Sequence, residues 1–289
     1  MQSLKSLIKK VKQSKTAIGH FNISDFVTLR AIFEAAKSLN LPVIIGTSEG
    51  ERDFMGAHEA VALVKFLRKR HDFPIFINAD HTHSMEKAKE AIDVGYDAVL
   101  FDGSKLPFEE NIQKTKEVVE YARSKNKKII IEGEHGYIGS SSVILKEVPE
   151  GAATEEKDMT TREQAERFVR ETGVDLFAPA VGNIHGMLQG GENIKHLNFK
   201  RIKEIKRAAR VPLVLHGGSG TPDEDFLKAI EAGMSIVHVN TELRVAWRQG
   251  LEKGLRENPE EVTPYKIMKP ALDEIKQVVY NRLKLFNRI

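Results

Sequence analysis

Three histidines, His81, His185 and His216, each stand where a short run of β-branched and apolar residues stops, in PIFINADH, LFAPAVGNIHG and PLVLHGGSG. Neutral imidazoles bind divalent cations, and three of them that leave a fourth position open make a catalytic rather than a closed structural zinc site. The chain contains no cysteine, which excludes disulfides and thiolate sites, so such a centre must be built from His, Asp and Glu. One strand-end histidine is as readily a hydrogen-bonded rim residue as a ligand. Three in matching positions favour the ligand reading. His20, His58, His71, His135 and His196 lack that placement and read as structural, and His83 reads as a helix-start residue first and a ligand second.

Carboxylates and glycines accompany the histidines. Asp80 precedes His81, where a carboxylate beside a cation-bound substrate can exchange a proton with the reacting oxygen; the alternative is a capping or ligand-orienting aspartate. Glu132 and Glu134 alternate in IEGEHG and share one strand face, which makes either a carboxylate partner for metal or substrate, or else half of a rim salt bridge. HGGSG, from His216 to Gly220, leads into a helical run. Glycines there let backbone N–H groups approach phosphate oxygens, and a helix N-terminus favours an anion. HVNTE, with His238, Asn240 and Thr241, supplies a second polar tip near the same corner.

These residues need a frame that gathers them. Eight apolar runs begin at Ala17, Pro42, Pro74, Ala98, Lys128, Leu176, Pro212 and Ser235, with helix-period segments between them. Each run reads as a buried parallel strand. Eight strand–helix units of nearly uniform length predict a (β/α)8 barrel, the TIM-barrel form of the α/β class, whose functional groups converge at the C-terminal rim of the strands. Asn22, Ser48, Asp80, His81, Asp102, Glu132, Glu134, His185, His216, His238 and Asn240 fall at those ends. An amphipathic helix is expected before the first strand, and another after the last unit, packed outside the barrel or against a second subunit. No proline- or glycine-rich linker divides the chain, so residues 1–289 read as a single domain. The connection from Tyr137 to Thr160 carries no strand signal, and loops of that length are usually functional or mobile.

Composition narrows the partners. A net charge of +3 with interspersed acids and bases is the pattern of a solvated surface rather than of a nucleic-acid footprint. No apolar run reaches the 18 or so residues of a membrane span, and the basic N-terminus lacks the apolar core of a secretory signal. The expected setting is the cytoplasm, with no nucleic-acid and no membrane partner.

In GHFNISD, TSEG, ADHTHS, IEGEHGYIG, DLFAPAVGNIHG, PLVLHGGSG and NTELR, taken in order over almost the whole length, the chain resembles the class II fructose-bisphosphate aldolases, a family that includes the tagatose-bisphosphate aldolases. The resemblance implies a Zn2+ ion, or a similar divalent metal, held by His81, His185 and His216, with Glu134 near it. It implies Asp80 as the group that moves a proton at the aldehyde-derived oxygen. Gly186, Gly217, Ser219 and Thr241 fall on positions that hold the phosphate of dihydroxyacetone phosphate, and Asn22 and Ser48 on positions that contact the other half of the sugar bisphosphate. A monovalent cation (Na+ or K+) near that phosphate and a homodimer or homotetramer are also implied. The activity implied is reversible cleavage of fructose 1,6-bisphosphate; the alternatives are a tagatose-bisphosphate or other ketose-phosphate aldolase, and a non-catalytic metal-binding barrel. The sequence departs from the family in three places. YIGSSSVILKEVPEG replaces a glycine–acidic run, leaving Glu147 or Glu150 as substitutes for its glutamate. Gln189 stands where lysine is usual, and His238 and Asn240 where asparagine and aspartate are typical.

Overall fold

The computed structural model describes residues 2–140, 142–189 and 197–289; His196 lies outside them. Its strands are β1 (Ile18–Asn22), β2 (Val43–Thr47), β3 (Ile75–Thr82), β4 (Ala98–Phe101), β5 (Ile130–His135), β6 (Ile144–Leu145), β7 (Leu176–Pro179), β8 (Met187–Leu188), β9 (Leu213–Leu215) and β10 (Met234–Val239). All except β6 and β8 close into one barrel in the order β1-β10-β9-β7-β5-β4-β3-β2, each pairing parallel to its neighbours. The eight expected strands are therefore the eight barrel strands, and the fold is a (β/α)8 barrel.

Local chemistry fixes where the surrounding helices begin and end. In the helix Phe26–Leu39, Asp25 accepts the Thr28 N–H at 2.7 Å, and Asn40 ends the helix in the left-handed region. Ser84 and Gly95 bound the helix Met85–Val94 in the same way. Thr161 and Gln164 form a capping box on Arg162–Thr172.

Alternation along the strands grades the barrel interior from apolar to polar. Ile18, Ile44, Phe76, Ile130, Val214 and Ile236 form an apolar cluster at the start of the strands, and Leu4, Leu7, Ile8 and Val11 of the N-terminal helix Leu4–Ser14 pack into it. That helix seals one mouth of the barrel with its apolar stripe. Two residues further along the strands come His20, Asn78, Glu132, His216 and His238, all buried. The polar groups thus sit toward the open, C-terminal end.

The C-terminal helix Lys269–Asn287 packs against the helices Phe26–Leu39 and Thr241–Glu257 of the same chain, burying Ala271, Ile275, Val279, Leu283 and Phe286. The long connection after β5 differs from expectation in one respect, because Ile144–Leu145 pairs with Met187–Leu188. Two residues are too few to leave an alternating pattern.

Replacing Ile8, 3% exposed in the sealed mouth, by Ala is expected to destabilise the protein by about 2–5 kcal/mol. Urea unfolding measures this, and turnover per folded molecule should stay unchanged because the helix lies at the barrel end away from the polar groups.

Candidate active site

A bulge in β3 brings two neighbouring side chains to one place. Pairing with β4 shifts between Ala79 and Thr82, and His81 takes φ +38°, a left-handed conformation that non-glycine residues rarely adopt. A regular strand would point Asp80 and His81 to opposite faces. Here both line one cavity of about 300 Å3, which is the re-aiming that bulges provide near functional sites.

His185 and His216 meet His81 there, with ring centroids 4.6 and 4.8 Å from that of His81 and 5.9 Å from each other. Carboxylates occupy one nitrogen of two of the rings. His81 Nδ1 lies 2.8 Å from Asp102 Oδ2, and the second oxygen of Asp102 accepts the Ser104 N–H and hydroxyl at 3.0 and 2.6 Å. His216 Nε2 lies 2.8 Å from Glu132 Oε1. The nitrogens that remain, His81 Nε2, His185 Nε2 and His216 Nδ1, are buried without a hydrogen-bond partner among the described residues. One ligand atom from each ring fits within a 4.8 Å cluster. Buried polar atoms are normally paired, so three unpaired nitrogens facing one another fit a cation that would complete them, and the carboxylate–imidazole pairs behind two of them are those that orient metal-binding histidines.

Glu134 is on the other side of His81, with Oε2 3.6 Å from Nδ1 and unpartnered. It groups with His81 and Asp102 rather than with His185 and His216. Burial and the charge of Asp102 push its carboxyl up to about 8. Burial would also raise Asp80, but His81, His238 and His20 outweigh it and hold that carboxyl well below the usual range. For His81, burial is overcome by Asp80, Asp102 and Glu134, which raise it well above the ordinary imidazole value. For His185, burial together with the charges of His81 and His216 outweighs Asp80 and Asp102 and holds it well below the ordinary imidazole value. Strong shifts of opposite sign in one cleft are typical of a functional centre.

Asn22 and Ser48 enter through a hub absent from the sequence reading. Glu51, buried in the helix Glu49–Met55, accepts the Ser48 N–H at 2.7 Å and the Asn22 amide at 2.9 Å through Oε2, and Arg244 at 2.8 Å through Oε1. The same Asn22 nitrogen donates to Asp80 Oδ2 at 2.9 Å. Arg52, also buried, donates to the Thr47 and Asp80 carbonyls and to Thr82 Oγ1 at 2.5, 3.1 and 3.0 Å, tying β2 to β3 beneath the site.

The glycine-rich corner closes the cavity opposite. Gly186, Gly217, Ser219, Asn240 and Thr241 all line it. Gly217 has φ +62°, and a Cβ there would collide with the Ile184 carbonyl, so only glycine serves. Ser219 Oγ accepts the N–H groups of Asn240 and Glu242 at 3.2 and 3.3 Å, joining the turn after β9 to the helix after β10. Gln189 is exposed and does not line the cavity; among the described residues, Lys105 and Arg244 are its lysine and arginine side chains. Glu147 and Glu150 are exposed and lie outside it. His83 lines it half-exposed, its N–H donating to Glu49 Oε1 at 2.9 Å just before Ser84, the N-cap of the helix Met85–Val94. His238 is buried at its floor, stacked on the buried ring of His20.

The profile of the family described as "Fructose-bisphosphate aldolase class-II" matches residues 2–289. The fructose-bisphosphate aldolase of Staphylococcus aureus is 37% identical over 289 residues, covering 98% of this chain and 96% of that one. The 6-phospho-5-dehydro-2-deoxy-D-gluconate aldolase of Bacillus licheniformis is 36% identical over 287 residues, covering 98% and 94%. Among solved structures, the YdjI aldolase of Escherichia coli K12 superposes with a TM-score of 0.81 at 28% identity, covering 99% of this chain and 97% of that one.

Changing Glu132 to Ala removes the acceptor that fixes His216. Divalent-cation affinity is then expected to fall about 10- to 100-fold, as read by competition with a metal indicator.

Proposed function

The chain belongs to the class II fructose-bisphosphate aldolase family, and we propose that it cleaves fructose 1,6-bisphosphate reversibly to dihydroxyacetone phosphate and glyceraldehyde 3-phosphate with a zinc ion held by His81, His185 and His216. The protein is a lyase of the aldolase type, acting on sugar phosphates. The observation that carries the finer reading is the set of three inward, unpartnered imidazole nitrogens beside Asp80, on the floor of a cavity walled by the Gly217–Ser219 turn.

When bound, the divalent cation supplies Lewis-acid polarisation of the substrate carbonyl, so that no lysine Schiff base is needed. The chain's own groups do the rest. Backbone N–H groups at Gly186 and Gly217, with Ser219 and Thr241 at the helix N-terminus, bind one phosphate, and Asn22 and Ser48 bind the far half of the sugar. Asp80 is ionised at neutral pH, so in cleavage it accepts the proton of the hydroxyl that becomes the aldehyde, and in synthesis it returns that proton. Asn22 holds the carboxylate in place through Oδ2. Glu134, pushed up to about 8 by burial and Asp102, can carry a proton near His81. A monovalent cation beside the phosphate, one domain over residues 1–289, a homodimer or homotetramer and a cytoplasmic setting complete the proposal. No helix among the described residues is long and apolar enough to cross a membrane.

A second reading, an aldolase for tagatose 1,6-bisphosphate or another ketose phosphate, draws support from the Bacillus licheniformis relative, which acts on a different sugar phosphate by its name and is 36% identical against 37% for the Staphylococcus aureus enzyme. Two such substrates differ by few hydrogen bonds. Assay of fructose and tagatose bisphosphates side by side, with elemental analysis of the same preparation, separates the two readings.

Chelator-treated protein is expected to be inactive and to recover with zinc; full activity without metal would overturn the proposal. Asp80→Ala should lower kcat for cleavage by at least about 100- to 10,000-fold while the ion stays bound, and wild-type turnover would remove Asp80 from the mechanism.

A further inference from the structure

Below the three-histidine cluster, β1 and β10 set two more imidazoles face to face. His20 and His238 are register partners across the barrel wall, with ring centroids 3.4 Å apart and planes within 3° of parallel. They are 0% and 5% exposed. Space for the pair is made by Gly46, where a Cβ would run into Cε1 of His20 and lie 2.8 Å from its Nε2. The Asn78 amide nitrogen, 3.1 Å from that Nε2, anchors the lower ring. On its other side His238 touches His216, with centroids 3.9 Å apart.

Parallel stacked rings direct their in-plane lone pairs along separate lines, which suits a joint metal site poorly. A hydrogen-bonding role for the upper ring fits better. Nδ1 of His238 lies 3.4 Å from Oδ1 of Asp80, and neither atom has a hydrogen-bond partner among the described residues. One is a potential donor and the other an acceptor, so each is the natural complement of the other.

The position of that oxygen matters. Oδ1 of Asp80 is 3.9 Å from His81 Nε2, one of the three inward nitrogens. Two ligands on a tetrahedral zinc, with bonds of about 2.0–2.1 Å, are themselves about 3.4 Å apart. A small rotation would therefore turn Asp80 into a fourth ligand, filling the open position and tying up the lone pair needed to move a proton.

We propose that His238 is a positioning residue whose Nδ1–H holds Oδ1 of Asp80 off the three-histidine cluster, with His20 stacked beneath to fix the plane of its ring. The inference rests on Asp80 being the proton carrier. It assigns His238 a role other than contact with the substrate, which its place in the polar tip HVNTE suggested.

The test uses the cobalt(II)-substituted protein, read by its visible absorption and by steady-state cleavage of fructose 1,6-bisphosphate. His238→Ala should lower kcat about 10- to 100-fold, leave KM within about twofold, and shift the cobalt bands as the freed carboxylate joins the ion. His238→Asn, whose amide nitrogen can occupy the place of Nδ1, should restore most of both properties. His20→Ala should give the same changes in weaker form, and the Asn and His20 variants keep the test open if His238→Ala does not fold. A raised KM with kcat intact, or cobalt bands that do not move in His238→Ala, would overturn the proposal. If wild-type protein fails to cleave the bisphosphate, the substrate reading fails, while the cobalt spectra still decide whether His238 restrains Asp80.

Discussion

The candidate centre depends on two carboxylate–imidazole hydrogen bonds. Asp102 on His81 Nδ1 and Glu132 on His216 Nε2 decide which nitrogen of each ring remains available and where it points. A neutral imidazole has one donor and one acceptor, so an acceptor at one nitrogen places the lone pair at the other. Both carboxylates are supplied by neighbouring parts of the sheet: Glu132 lies within β5, and Asp102 directly follows β4. The direction of the open nitrogens is thus a property of the barrel wall more than of the histidines.

Much of this was legible in the sequence because barrel closure turns a linear pattern into a ring. The eight apolar runs mark the strands, and His81, His185 and His216 come together because His81 lies near the end of β3 while His185 and His216 come after β7 and β9, all at one rim. Glu132 and Glu134 were read as sharing a face and do so, yet they serve different neighbours, His216 and His81. What stayed hidden depends on contacts that no local period encodes. Glu51 and Arg52 read as ordinary charged residues at a helix start, and only the packing of the helix Glu49–Met55 against β3 makes them struts for Asn22, Asp80 and Thr82. His20 reads as structural because it sits inside its run rather than at the end, and its stacking on His238 follows from the β1–β10 register. The β6–β8 pair was invisible because two residues have no periodicity.

The graded interior explains how so many ionisable groups coexist in a buried space. Burying charges is unfavourable unless they are paired, and here acids and imidazoles alternate around the ring: Asp80 beside His81 and His238, Asp102 against His81, Glu132 against His216. The apolar layer beneath is sealed by the N-terminal helix, and the cavity that reaches these groups opens at the rim. A divalent cation among them would balance a set of carboxylates in which Glu134 Oε2 has no hydrogen-bond partner among the described residues.

Gly46 and His20 illustrate a constraint on sequence drift. The ring of His20 occupies the volume that any side chain at position 46 would need. A Cβ at 46 would also lie 2.9 Å from Asn22 Oδ1, so a larger residue at 46 can be accepted only after 20 has shrunk and the Asn22 amide has moved. Because that amide holds Asp80, drift at position 46 is restrained by the site itself as well as by the neighbouring strand.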